Sequence, residues 1–138
     1  MVLLRALDVF FFVFHTAWIV FVLVGWTHPR TRRWHLAAVF LTAFSWVGLG
    51  YWYGWGYCPC TDWHWQVREA MGNPPPYTSY TRFLVESLLP VRVGRFYMDL
   101  MTVTGLVLAT ALSVMLNISS LKRRHDEKAA VESKESVE

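Results

Sequence analysis

Charged side chains are scarce in this sequence, which excludes an ordinary water-soluble domain. Asp, Glu, Lys and Arg make up 17% of the 138 residues, whereas 54% are hydrophobic and the mean hydropathy is +0.29. Soluble domains usually have about 25% charged residues. Residues 122–138 hold five basic and five acidic side chains, which leaves eight basic and five acidic ones for residues 1–121. The net charge of +3 is too small and too scattered to favour nucleic-acid binding.

The motifs of common enzymes are also missing. The sequence has no phosphate-binding loop, no His-Glu-x-x-His metal motif, no nucleophile elbow and no dinucleotide-binding glycine pattern. Its long apolar runs lack the paired carboxylates that acid–base catalysis commonly uses. We therefore predict that the protein is not an enzyme.

Three apolar runs dominate the chain, at about residues 6–26, 36–57 and 97–118. A run of about 20 apolar residues crosses a hydrocarbon core of about 30 Å as a helix. A helix buried in a soluble protein is rarely apolar on every face over this length. The first run is not followed by a small-x-small cleavage site, so we expect it to remain as a helix. The prediction is an all-α membrane protein with three transmembrane helices.

The segment between the second and third runs, residues 58–96, is predicted to be external and to lie at the membrane interface. Its opening is rich in Trp and Tyr, which favour the level of the lipid headgroups. Two short helices are expected, at about 62–71 and 79–89, because Gly72 with the prolines that follow ends the first, and Pro90 ends the second. Residues 1–121 then form a membrane domain, and residues 122–138 form a charged tail.

Basic residues indicate the orientation. The loop after the first run contains Arg30, Arg32 and Arg33, and the third run is followed by Lys122 and a pair of arginines. Positive charge favours the cytoplasmic side of a membrane. We therefore predict a bacterial inner-membrane protein whose amino terminus is outside and whose carboxyl terminus is cytoplasmic.

Several short motifs occur along the chain: Cys58-Pro59-Cys60-Thr61 followed by Arg68 and Gly72, the histidine motifs around His15 and His35, and the segment ending at Pro90. This set of motifs resembles one bacterial membrane family, DUF2784, whose function is unknown. The resemblance covers about residues 3–118. Cys60 stands where the family usually has Leu, and His64 where it usually has Glu. The resemblance implies a fold and no particular activity.

His15 and His35 are candidate functional residues within the first two runs. A titratable residue inside a span is a functional hypothesis by default. His15 could ligate a haem or a (bacterio)chlorophyll, but it differs in depth from His35 by about 16 Å, so the two are poorly placed to clamp one haem. The preferred interpretation is that neutral His15 donates a hydrogen bond to a neighbouring carbonyl or hydroxyl group, such as that of Thr42 or Ser45.

Cys58, Cys60 and His64 form a Cys-x-Cys-x3-His pattern that could bind a soft metal such as Cu(I). Zinc sites usually have wider spacing and four ligands. A disulfide across a single Pro would be strained. The favoured interpretation is that Cys58 packs at a membrane-surface turn whose shape Pro59 sets.

Charged and small residues suggest further contacts. Arg5 and Asp8 lie three apart on one helix face, and Arg68 is expected to pair with Asp99 or Glu86. Arg92 and Arg95 are alternative partners for Asp99. Gly105 and Ala109 have the small-xxx-small spacing that lets helix backbones approach closely.

Taken together, these features favour a non-catalytic accessory subunit of a larger bacterial membrane complex, with respiratory and photosynthetic complexes as candidates. The alternative is a protein that binds a tetrapyrrole or copper. Lipids and other membrane subunits are the expected partners. The residues predicted to contact them are aromatic residues of the second loop and arginines of the tail: Trp52, Trp55, Trp63, Trp65, Arg123 and Arg124.

Overall fold

The computed structural model describes residues 1–135, and its elements are all helices in that range. Three of them are long and apolar enough to cross a membrane, and two short helices lie between the second and the third. The predicted fold class is confirmed. Residues 136–138 of the predicted tail lie outside the described residues. The helices are α1 (Val2–Val24), α2 (Arg32–Tyr53), α3 (Pro59–Ala70), α4 (Tyr80–Leu88) and α5 (Arg95–Glu135).

His35 joins the three long helices near the end where α1 leads into α2. Its side chain is fully buried, with ring nitrogens 2.8 Å from the carbonyl oxygen of Val22 in α1 and 2.9 Å from the hydroxyl of Ser113 in α5. Because a carbonyl only accepts, Nε2 carries the proton and Nδ1 accepts from Ser113 when the ring is neutral. A Cβ at Gly25 would lie 2.9 Å from the His35 ring, so this close packing requires glycine.

The small residues of α5 pack inside the bundle. A Cβ at Gly105 would lie 3.2 Å from a methyl carbon of Leu23 in α1, and Ala109 is only 3% exposed. Small residues at this spacing let helix backbones approach closely. The predicted packing role of this pattern is confirmed for the contact with α1.

The second span ends at Tyr53, earlier than the predicted boundary at residue 57. A π-helical turn, Ser45–Leu49, interrupts α2, and Gly54 has φ +104°, a conformation that L side chains rarely adopt. The chain therefore reverses direction at Gly54. The chain then returns along α2 and reaches the level of Ser45, whose hydroxyl donates to the carbonyl oxygen of Tyr57 at 2.8 Å.

The returning chain places the start of α3 beside the middle of α1. The Cys58 sulfur lies 4.0 Å from Nε2 of His15. His15 is nine residues from the α1 terminus at Val24, a distance of about 14 Å along the helix. From this point α3 runs antiparallel to α1. The turn at Gly54 thus carries the chain back along the bundle before α3 begins at Pro59, and the placement of Cys58 at the membrane surface stays a prediction.

An aromatic cluster holds α4 against α1 and α3. Tyr80, Phe83 and Leu84 are buried, and the Trp65 ring of α3 lies 5.3 Å from that of Tyr80 and 5.1 Å from that of Phe83. Phe12 and Ile19 of α1 pack against the same cluster. Trp65, one of the four tryptophans predicted to contact a partner, is partly buried against this cluster. The other three tryptophans of that prediction are exposed: Trp52, Trp55 and Trp63.

The third span and the charged tail form one continuous helix. The 41 residues of α5 extend well past the start of α2, where the Asn117 amide donates to the Arg32 carbonyl oxygen at 3.4 Å. Residues 121–130 are all exposed, including Arg123 and Arg124. Residues 121–130 of α5 therefore lie beyond the bundle and are exposed.

Candidate functional site

The polar residues of α3 share one face because of their spacing. Thr61, His64 and Arg68 are three and four residues apart, which aligns side chains along one side of a helix. Asp8 and His15, two turns apart on α1, face the same way. The antiparallel packing of α1 and α3 joins the two rows into one cluster, which we call the α1–α3 cluster.

One end of the α1–α3 cluster is built around the Asp8 carboxylate. Its Oδ1 accepts from Nε2 of His64 at 2.8 Å and from Nη1 of Arg68 at 3.2 Å. His64 is fully buried and the Arg68 side chain is 13% exposed. Burial lowers the pKa of His64 below its usual value, although Asp8 acts in the opposite direction. A neutral His64 can donate from Nε2, and Arg68 supplies the positive charge that balances Asp8.

Aromatic rings complete the surroundings of His64 and Arg68. The Arg68 guanidinium lies 4.9 Å from the centroid of Phe83, within the range of a cation–π contact. The His64 ring stacks on Phe11 at 5.9 Å and lies 5.7 Å from Tyr80. The rings partly shield the Asp8–Arg68 pair from water, which strengthens the electrostatic attraction between the two side chains.

The other end of the α1–α3 cluster surrounds His15, which is 7% exposed. Nδ1 lies 3.5 Å from the Thr61 hydroxyl, Nε2 lies 4.0 Å from the Cys58 sulfur, and the ring stacks on Tyr80 at 3.9 Å. Thr61 and Cys58 are therefore the partners of His15. A hydroxyl group does lie beside His15, but it belongs to Thr61 and not to the suggested Thr42 or Ser45, since Thr42 accepts from Trp18 and Ser45 bonds to the chain after α2.

Three buried polar atoms between the two ends have no partner among the described protein atoms. They are Nδ1 of His64, Nε of Arg68 and the hydroxyl of Tyr80. Buried polar atoms of this kind are commonly satisfied by ordered water. The chemistry available in the cluster is thus one carboxylate, two imidazoles, one guanidinium, one phenol and the two neighbouring thiols.

The predicted copper site is not assembled. Within residues 1–135, no group of three or more His, Cys, Asp and Glu side chains is arranged to hold a metal ion. His64 is engaged with Asp8, whereas Cys58 lies beside His15. The imidazole beside Cys58 comes from α1 and not from His64, so the three predicted ligands do not converge.

The predicted tetrapyrrole site at His15 does not fit the structure either. Tyr80 covers one face of the ring, and both nitrogens point at protein groups on α3. An axial ligand needs one nitrogen directed at open space that can receive the macrocycle. His35 is equally engaged, since Val22 and Ser113 occupy its nitrogens.

The predicted ion pairs are rearranged. Arg68 contacts Asp8 and neither Asp99 nor Glu86, because α3 packs along α1. Asp99 pairs with Arg95 at 3.5 Å, one of the predicted alternatives. Asp8 bonds to α3 residues instead of to its neighbour on α1, Arg5, which is exposed.

Glu86 is the centre of a separate polar group on α4. Its carboxylate accepts from the Tyr77 hydroxyl, from Nε of Arg82 at 2.9 Å and from the backbone N–H of Val93 at 3.1 Å. These bonds lower the pKa of Glu86 to about 2, with the Tyr77 bond the largest cause. The group fastens the segment after Pro90 to α4.

The sequence was compared with known protein families, curated proteins and solved structures. The family model described as a protein of unknown function, DUF2784, matches residues 5–118. The chain belongs to the DUF2784 family. The resemblance inferred from the cysteine, histidine and arginine motifs is confirmed. No curated protein and no solved structure shows significant similarity to this DUF2784 protein.

Sequence reasoning missed two members of the α1–α3 cluster, Asp8 and Tyr80. Asp8 carried a usable signal, since it precedes His15 by seven residues and therefore shares its helix face. Tyr80 carried no such signal, because its contact with His15 depends on how α4 packs.

Proposed function

We propose that this DUF2784 protein is a non-catalytic accessory subunit of a larger complex in the bacterial cytoplasmic membrane. The amino terminus lies outside and α5 ends in the cytoplasm. Respiratory and photosynthetic complexes are the candidate classes. The observation that carries the proposal is the run of exposed residues 121–130 in α5.

Beyond Asn117, which contacts the start of α2, the helix continues for 18 residues, or about 27 Å. Short isolated helices are marginally stable in water, and most helical stability comes from tertiary packing. The exposed residues 121–130 therefore favour a packing partner outside this chain.

The charge pattern of the extension indicates the kind of partner surface. Lys122, Arg123 and Arg124 come first, followed by Asp126 and Glu127. A surface that presents acidic groups near the membrane and basic groups farther away would complement both blocks. The basic block also supports the cytoplasmic placement of this end.

The exposed aromatic residues at the opposite end support a second contact. Trp52 is 73% exposed and Trp55 is 86% exposed, beside the turn that reverses the chain. Large aromatic side chains are enriched at interface cores and at the headgroup level of membranes. A neighbouring subunit or the lipid interface would cover them.

The test is purification of the tagged full-length protein from its native membrane in mild detergent, with mass spectrometry of the co-purifying chains. We expect stoichiometric membrane partners, and no visible absorbance intrinsic to this chain. A lone species that carries a haem, chlorophyll or copper chromophore would overturn the proposal.

Two variants locate the contact. Truncation after Leu121 should release the partner chains while the remaining helices keep their circular dichroism signal. R123Q/R124Q should weaken the association, and the matched loop variant R30Q/R33Q should leave it unchanged. Full retention of the partners by the truncated protein would exclude docking through α5.

A further inference from the structure

An open cleft lies at the end of the bundle where α1 begins. Its volume is about 430 Å³. The beginning of α1 forms one wall and the segment that follows α3 forms the other, through Met1, Arg5, Asp8, Val9, Met71 and Asn73. The cleft therefore combines a cation, a carboxylate and an amide with three apolar side chains.

We propose that this cleft binds the headgroup of an anionic phospholipid that carries free hydroxyl groups, with phosphatidylglycerol as the representative ligand. Arg5 and Asn73 bind the phosphate, Asp8 accepts from a headgroup hydroxyl, and the apolar side chains contact the first carbons of the acyl chains. The site belongs to this chain alone and does not depend on the accessory role.

The position of the cleft along α1 matches the level of the lipid headgroups. The 23 residues of α1 span about 34 Å, slightly more than a hydrocarbon core of about 30 Å. A helix of this length places its first turn at the membrane interface. Arg5 lies in that turn, and a long basic side chain there extends its guanidinium to the layer of lipid phosphates.

The charges of the cleft favour a lipid with one negative charge. Arg5 is exposed, and its side chain forms no ion pair within residues 1–135. Asp8, three residues along the helix, is already balanced by Arg68 at 3.2 Å. One positive charge is thus left over, and a single phosphate diester balances it. A guanidinium also matches the geometry of two phosphate oxygens.

Asn73 is held beside the cleft by the turn that ends α3. Gly72 has φ +72°, and the backbone N–H of Asn73 donates to the carbonyl oxygen of Arg68 at 3.0 Å. The side-chain amide of Asn73 has no hydrogen bond to the other described residues, so it can donate to a phosphate oxygen. Because the backbone is already fixed, binding orders only the end of this side chain.

The second oxygen of Asp8 selects among headgroups. Oδ1 accepts from His64 and Arg68, whereas Oδ2 accepts no hydrogen bond from the described residues. The side chain is 26% exposed, so a ligand in the cleft can reach it. A glycerol hydroxyl can donate to Oδ2. The methylated ammonium of phosphatidylcholine has no N–H or O–H to donate, and the ammonium of phosphatidylethanolamine leaves the positive charge of the cleft unbalanced.

The experiment is native mass spectrometry of the full-length protein in mild detergent, with phosphatidylglycerol, phosphatidylethanolamine or phosphatidylcholine of identical acyl chains. We expect the tightest-bound phosphatidylglycerol to bind at least about tenfold more tightly than either zwitterionic lipid, the effect of about one hydrogen bond to a charged group. Soluble glycerophosphoglycerol, which has the headgroup without acyl chains, should not displace this lipid when the two are present at equal concentration.

Variants locate the site. R5Q should abolish the preference for phosphatidylglycerol, and N73A should weaken its binding by about tenfold. R5K should retain the preference, because lysine also binds phosphate as a point charge. The matched control R30Q, at an exposed arginine near the other end of α1, should leave the tightest-bound lipid unchanged. Circular dichroism checks that each variant is folded.

Three results would overturn the proposal. The zwitterionic lipids could bind the folded native protein as tightly as phosphatidylglycerol. R30Q could weaken the binding as much as R5Q, which would indicate attraction to any exposed arginine. Glycerophosphoglycerol could displace the lipid at equal concentration, which would make a free phosphate diester the ligand.

Discussion

Replacing Asp8 with Asn tests whether the α1–α3 cluster stabilises the fold. The substitution keeps the size of the side chain and one acceptor oxygen but removes the negative charge. In the native protein, Oδ1 of Asp8 accepts from His64 at 2.8 Å and from Arg68 at 3.2 Å. The variant D8N therefore leaves the Arg68 guanidinium buried, with an uncharged neighbour in place of its counter-ion.

The magnitude follows from the burial of the pair. The Arg68 side chain is 13% exposed and that of Asp8 is 26% exposed. Removing one partner of a buried ion pair costs about 3–5 kcal/mol. Because Asp8 is partly solvated, we expect the low end, a loss of about 3 kcal/mol in the free energy of unfolding.

The assay is reversible unfolding of the purified protein by titration of a mild detergent with a denaturing one, followed by tryptophan fluorescence and circular dichroism. D99N is the matched control, since the Arg95–Asp99 pair is 73% and 47% exposed and should contribute about 0–1 kcal/mol. The double variant D8N/R68M should recover part of the loss, because it removes the unpaired charge.

The reasoning would be refuted if D8N and D99N lost equal stability. It would also fail if R68M added its full cost on top of D8N, since additive effects indicate residues that do not interact.

Three further predictions concern other contacts, each measured by the same unfolding titration. S113A should cost about 1–3 kcal/mol by leaving Nδ1 of buried His35 without its donor, whereas S119A, at an exposed position of α5, should be near neutral. The folded-state pKa of Glu86 is about 2, below its usual 4.5, so its contribution should be complete above pH 4.5 and disappear as the pH falls through 2. E86Q should remove the loss of unfolding free energy that Glu86 causes between pH 4.5 and 2. An identical dependence of stability on pH in the native protein and in E86Q would contradict this prediction. G72A should cost about 1 kcal/mol or more because Gly72 has φ +72°, and a neutral effect would exclude backbone strain there.

The position of the three spans could be predicted from composition because apolar length is a one-dimensional property. A run such as residues 97–118 needs no knowledge of its neighbours to be identified as a membrane helix. The exact end of α2 could not be predicted in this way. The aromatic residues continue to Tyr57, and only the conformation at Gly54 shows where the chain reverses.

The candidate site was predicted in part. The sequence identified His15, Cys58, His64 and Arg68 as residues to test, but it assigned them to wrong partners. Those assignments assumed that the second loop lies on the membrane surface. In the structure, α3 runs along α1. Arg68 therefore pairs with Asp8 and not with the expected Asp99 or Glu86.

The sequence by itself determined that this is a membrane protein with three spans, because the burial of apolar length in lipid depends on each segment alone. It also determined the family, because short motifs can be recognised from their spacing along the chain without knowledge of the fold. The tertiary structure alone decided which polar groups meet. A buried carboxylate, imidazole or thiol bonds to the group that another helix brings within about 3–4 Å. Which group that is depends on how α1, α3 and α4 pack together, and the spacing of residues within one segment does not reveal it.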